Sequence, residues 1–180
     1  MKKVRTTEKR GYAVAAKVTT AGQQYLRVVA PKSKKARIGV SKARGFVGWR
    51  WIDLTTQARE SAGSVSVAPV TIAGRKYAKA MTLTDARIAF NVDNLCDTLK
   101  GGAGIKDGIT EGGTLTSFVS TPGWGNGYPL ELSPNAPVKT VRHSLVDIYT
   151  VGMIAEGGIV STVDPTVHCS VNTLPKPALS

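Results

Sequence analysis

Most of the chain alternates apolar and polar residues with a period of two, the pattern of a half-buried strand. In GFVGWRWID, Phe46, Gly48, Arg50 and Ile52 fall on one face and Val47, Trp49 and Trp51 on the other. Residues 64–72 (SVSVAPVTI) alternate too, and Pro69 marks an edge strand or a bulge because it has no N–H to give a ladder. Ala73-Gly74 turns the chain into residues 75–83, which alternate again. Residues 36–40, 114–120, 138–151, 154–163 and 166–171 are further β-prone runs. Near the start, residues 12–18 and 25–30 flank Thr19-Thr20-Ala21-Gly22, which predicts a hairpin whose second strand Pro31 stops.

One stretch follows a different period. Ile88, Val92, Leu95 and Leu99 recur at helical spacing, Thr84 and Asp85 can cap the start, and Gly101-Gly102 can end it after Lys100. This predicts one helix over residues 85–100. Ile88, Phe90 and Val92 also alternate, so a strand ending near Asp93 competes, with only residues 94–100 helical. Glycine-rich residues 101–113 and Gly/Pro-rich residues 121–129, which carry Trp124 and Tyr128, read as loops. The expected fold is therefore a mainly β, antiparallel sheet with one helix. An α+β arrangement and a jelly roll are the alternative packings. Residues 1–10 read as a mobile basic arm and residues 11–180 as a single β-rich domain, long enough to bury a core.

Charge sharpens the picture. Residues 1–50 hold 14 Lys and Arg against one acid, a net of +13, whereas residues 51–180 hold 10 against 11, a net of −1. Cations gathered at one end repel one another unless a polyanion relieves them. Lys2, Lys3, Arg5, Lys9 and Arg10 fit a charge-neutralising arm, and Lys32, Lys34, Lys35, Arg37, Lys42, Arg44 and Arg50 a more ordered basic surface. Arg75, Lys76 and Lys79 form a second, smaller cluster on a hairpin rim. Trp49 and Trp51, with Arg50 between them, either fill the core or form a cationic aromatic platform on which bases stack.

Catalytic and metal chemistry find little support. His143 and His168 with Cys96 and Cys169 lack zinc-ligand spacing, so no metal is expected. His143, Ser144 and Asp147 hold the residue types of a hydrolase triad, yet His143 and Ser144 would point to opposite faces of a strand. No cofactor fingerprint, catalytic set, secretory signal or membrane-length apolar run is found, and the two cysteines read as free thiols in a reducing compartment.

The run Gly74-Arg75-Lys76-Tyr77, followed by alternating residues and the Asp93-Asn94-Leu95-Cys96-Asp97 stretch, resembles coat proteins of small single-stranded RNA bacteriophages. The resemblance covers residues 64–102 and implies a sheet facing RNA, with Arg75, Lys76 and Lys79 on it, and a helical segment locking a dimer. Together with the basic end, the expectation is a self-assembling capsid protein packaging a genome, RNA rather than DNA, in a virion assembled in the host cytoplasm. Its partners would be that genome and further copies of itself, not a membrane. A non-capsid nucleic-acid-binding protein and a phage tail or other structural assembly protein are the alternatives.

Overall fold

The computed structural model describes residues 20–30 and 39–177. Fifteen strands run in order: β1 (Gly22–Leu26), β2 (Val29–Ala30), β3 (Gly39–Val40), β4 (Arg44–Gly48), β5 (Arg50–Asp53), β6 (Glu60–Val67), β7 (Val70–Ile72), β8 (Arg75–Tyr77), β9 (Ala80–Asn91), β10 (Cys96–Gly104), β11 (Gly113–Thr121), β12 (Trp124–Leu132), β13 (Lys139–Ser144), β14 (Thr150–Glu156) and β15 (Ile159–Cys169). All pairings are antiparallel. The protein is mainly β, and among the described residues the only helical piece is a 3-10 turn at Leu54–Thr56.

The architecture turns on β9. One edge of this long strand pairs with β6 along most of its length. On the other edge Ala80 to Thr84 pair with β15, and Arg87 to Asn91 pair with β14. The sheet therefore splits at β9 into two wings, β14-β11-β12 and β15-β10-β13. A bulge lies at the split: Asp85 has φ 42°, and the register with β6 shifts between Ala62 and Ser64. Opposite it, a Cβ on Gly63 would strike the Asp85 carbonyl and the Ala86 backbone, so only glycine lets the strands close here. The far edges of the two wings then meet. Lys139 Nζ donates to the Glu131 carbonyl at 2.6 Å, and Ser117 Oγ lies 2.6 Å from His143 Nε2, with the Tyr128 ring stacked 4.3 Å from the imidazole. The result is a nearly closed antiparallel barrel.

Inside it, Leu83, Ile88, Phe90, Leu99, Leu115, Val151 and Val167 are fully buried in one core. Truncating a ring such as Phe90 to alanine costs about 3–5 kcal/mol at a site of this kind. A small second cluster, Val70, Ile72, Ala80 and Val163, seals the β7–β8 hairpin. That hairpin turns at Ala73 and Gly74, both at positive φ, where Asp107 accepts from both backbone N–H groups at 2.7 and 3.0 Å.

The helix expected over residues 85–100 is instead β9, a turn and β10. Core positions alternate before the turn, with Ala86, Ile88, Phe90 and Val92 buried, and after it Cys96 and Leu99 are both buried across a bulge. Asp93 and Asn94 adopt φ 42° and 55°, which reverses the chain between them. A strand, a turn and a bulged strand had mimicked the helical period, so the α+β alternative falls with the helix. Nor are residues 101–104 loop. They continue β10, where a Cβ on Gly102 would strike Val138. Pro122 and Gly123 make a tight turn within residues 121–129, and the rest of that stretch is strand.

The cysteines were misjudged as well. Cys96 and Cys169 are register partners on β10 and β15 and form a disulfide. Residues 12–18 lie outside the described residues. The observed partner of β1 is β4, which with β2–β3 forms a two-stranded ribbon.

Candidate functional site

The outer face of one wing gathers the side chains best suited to ligand chemistry. Strands β5, β15, β10 and β13 lie side by side there. Alternation sends Ile52, Val167 and Leu99 into the core, and so turns their neighbours outward. One outward row runs Trp51, His168, Thr98, Ser144; the next runs Asp53, Thr166, Lys100, Arg142. A register shift between Cys96 and Thr98 adds Asp97 to this surface beside Thr98.

Aromatic groups form the centre. The His168 ring stacks 5.5 Å from Trp49 and lies 4.9 Å from Trp51. Both indoles remain about two-fifths exposed, at 41% and 40%. They are therefore a surface platform, not core filling. Lys100 Nζ sits 3.8 Å from the Trp51 ring centre, a close cation–π contact. Asp97 receives His168 Nδ1 on both carboxylate oxygens, at 3.0 and 3.1 Å, which fixes the imidazole plane between the indoles. Arg50 donates to Asn172 Oδ1 at 3.4 Å at the platform's margin. Asp53 is committed elsewhere: it caps the 3-10 turn through Thr55 and pairs with Lys79 at 2.9 Å. Burial works to raise the Asp53 carboxyl, but hydrogen bonds from Thr55 and Lys79 outweigh it and hold it below the ordinary carboxylate range. The same contact lifts Lys79 above the usual lysine value.

A stack of partly exposed rings, bordered by a carboxylate, a threonine and cations, suits a ligand with one apolar face and a polar rim. A cleft of about 370 Å³ between Gly63, Asp85, Arg87 and Glu156 lies on the bulge instead, and has no aromatic wall. The second imidazole, His143, belongs to the seam between wings, where burial lowers its pKa below the ordinary histidine value. Its partner Ser117 is also buried, and no acid completes a triad there among the described contacts.

Of the residues expected to bind nucleic acid, Lys2, Lys3, Arg5, Lys9, Arg10, Lys32, Lys34, Lys35 and Arg37 lie outside the described residues. The others come from several elements. Lys42 precedes the ribbon strand β4 that Arg44 opens, Arg50 borders the platform, Arg75 and Lys76 are on the β7–β8 hairpin, and Lys79 is taken by Asp53. Trp49 and Trp51 also depart from one continuous strand, since β4 ends at Gly48 and β5 begins at Arg50 on a different sheet. Sequence reasoning missed His168, Asp97, Lys100 and Arg142. Pairing Cys96 with Cys169 would have found two of them, because it sets Asp97 beside His168.

No family model and no curated protein matches the chain. Solved structures do. A CBM51 module of the Clostridium perfringens GH95 protein, in complex with methyl-galactose, is 11% identical and superposes with a TM-score of 0.54, over 66% of this chain and 99% of that one. CBM51-2 with the INT domains of Clostridium perfringens ZmpB gives a TM-score of 0.55 at 12% identity, over 95% of this chain. Another structure of CBM51-2 and INT domains, with GlcNAc, gives 0.55 at 11% identity over 86%. The chain spans only 43% and 38% of those two longer structures. At these identities the likeness is one of fold alone.

This overturns the capsid reading. The matched structures are carbohydrate-binding modules, not coat proteins, and the helical segment on which the phage-coat dimer depended is strand. Genomic nucleic acid and a self-assembled shell fall with it as partners, because the neighbouring structures hold sugars.

Proposed function

We propose that the protein is a non-catalytic carbohydrate-binding module with a jelly-roll-like β-sandwich fold, holding a sugar ring on Trp49, His168 and Trp51. The observation that carries this reading is the exposed Trp49–His168–Trp51 stack with polar groups around its rim. A pyranose has a face of polarised C–H groups, which the electron-rich face of an indole attracts, and a rim of hydroxyls that need partners once water leaves. Asp97 and Thr98 can accept and donate to such hydroxyls from the platform's edge. Support comes also from the fold shared with modules solved with methyl-galactose and with GlcNAc. The disulfide fits an oxidising compartment, where extracellular glycans are met.

Isothermal titration calorimetry with methyl-galactose and with GlcNAc tests the reading. Trp51→Ala is expected to weaken binding about tenfold or more, a loss of about 1.4 kcal/mol or greater. Full affinity in Trp49→Ala/Trp51→Ala would place the sugar elsewhere and refute it.

A further inference from the structure

We infer that the sugar bound on this platform is anionic, carrying a carboxylate or a sulfate beside its ring; this rests on the carbohydrate-binding reading above. Lys100 and Arg142 are direct register partners across β10 and β13, and both are exposed on the platform's face. Two like charges facing each other across an antiparallel pair repel and destabilise the ladder. No carboxylate offsets them among the described residues, where the ion pairs are Lys79 with Asp53 and His168 with Asp97, neither involving Lys100 or Arg142. The two carboxylates nearest in register, Asp53 and Asp97, are thus already engaged.

The geometry joins this charge to the stacking surface. Lys100 Nζ lies 3.8 Å from the centre of the Trp51 ring, so a sugar laid on that indole brings its ring substituents against the ammonium. Arg142, opposite Lys100, adds a planar guanidinium that takes a carboxylate or sulfate through two parallel N–H donors. A neutral sugar would leave both cations uncompensated. An anionic one relieves their repulsion.

The test titrates the wild type and Lys100→Gln/Arg142→Gln with four probes, at low and at high salt. Methyl-galactose and GlcNAc are the neutral probes, galacturonic acid carries the carboxylate and galactose 6-sulfate the sulfate. The inference predicts that at least one anionic probe binds about tenfold tighter than methyl-galactose, with the gap closing at high salt. The double variant should lose that gap, binding the anionic probe no tighter than methyl-galactose. Whether carboxylate or sulfate gains more identifies the natural substituent. Equal affinity for neutral and anionic probes overturns this inference but leaves sugar binding intact. Binding of none of the four overturns both. Should the double variant fail to fold, Lys100→Gln alone, an exposed change, carries the same comparison.

Discussion

Removing the disulfide offers the sharpest test of the structure. In Cys96→Ala/Cys169→Ala the chain loses a cross-link between residues 73 apart in sequence. Closing a loop of that length in the unfolded chain corresponds to about 4 kcal/mol of stability at room temperature on the chain-entropy account. Both cysteines are buried, at 2% and 0% exposure, so alanine is preferred to serine, whose hydroxyl would be stranded without a partner. For a domain of this size the loss corresponds to a melting temperature lower by about 10 °C. Urea unfolding followed by tryptophan fluorescence, with and without dithiothreitol, measures it. Oxidised wild type should unfold at the highest urea concentration, and reduced wild type should approach the double variant. A thiol assay on the unfolded, unreduced protein should count no free cysteine. Two reactive thiols, or an unchanged midpoint on reduction, would refute both the pairing of β10 with β15 at this position and the oxidising environment drawn from it.

Three further outcomes follow from the geometry. Asp97→Asn should weaken sugar affinity with little change in melting temperature, because it loosens the His168 ring without touching the core; calorimetry beside a melting curve separates the two. Gly63→Ala, at φ 79° and against the Asp85 bulge, should destabilise the fold by about 1–3 kcal/mol, read by urea unfolding. His143, whose folded pKa lies below its ordinary value of 6.5 through burial, binds protons less readily in the folded state. Its contribution to stability is therefore present above about pH 6.5 and lost as pH falls through that value towards the folded pKa. Melting temperature across that window should fall more steeply for wild type than for His143→Gln, and parallel curves would exclude the seam histidine as the cause.

Much of the fold was legible because alternation was. The runs at 64–72, 75–83, 114–120 and 154–163 all fall largely in strands, and Ala73-Gly74 turns as its composition implies. What misled was the stretch through the Asp93-Asn94 turn. Ile88 lies on β9, Val92 just past its end, Leu95 just past the turn and Leu99 beyond the β10 bulge, so four unrelated positions fell on a helical spacing by arithmetic alone. The site was half legible. Trp49 and Trp51 stood out as a possible platform, but its other members come from strands more than 40 residues away, and only pairing brings them together. Charge misled more deeply. The excess at the start is a sum over sequence, whereas the described cations are scattered over the ribbon, a hairpin and the platform's rim, and one is neutralised by Asp53.

The irregularity in β10 has a further consequence, for how this surface can change. By inserting one extra residue, it shifts the phase of inward and outward positions between Cys96 and Leu99, so both still face the core while Asp97 and Thr98 face out together. Two adjacent positions are thus released from the interior's packing constraints at the spot where the imidazole is held. Substitutions there can alter what the platform recognises without disturbing a core contact. Deleting either one would restore strict alternation with Cys96 still opposite Cys169, and would leave a single outward residue where two now stand. Selectivity at this spot rests on one inserted residue, free to change in kind without cost to the core.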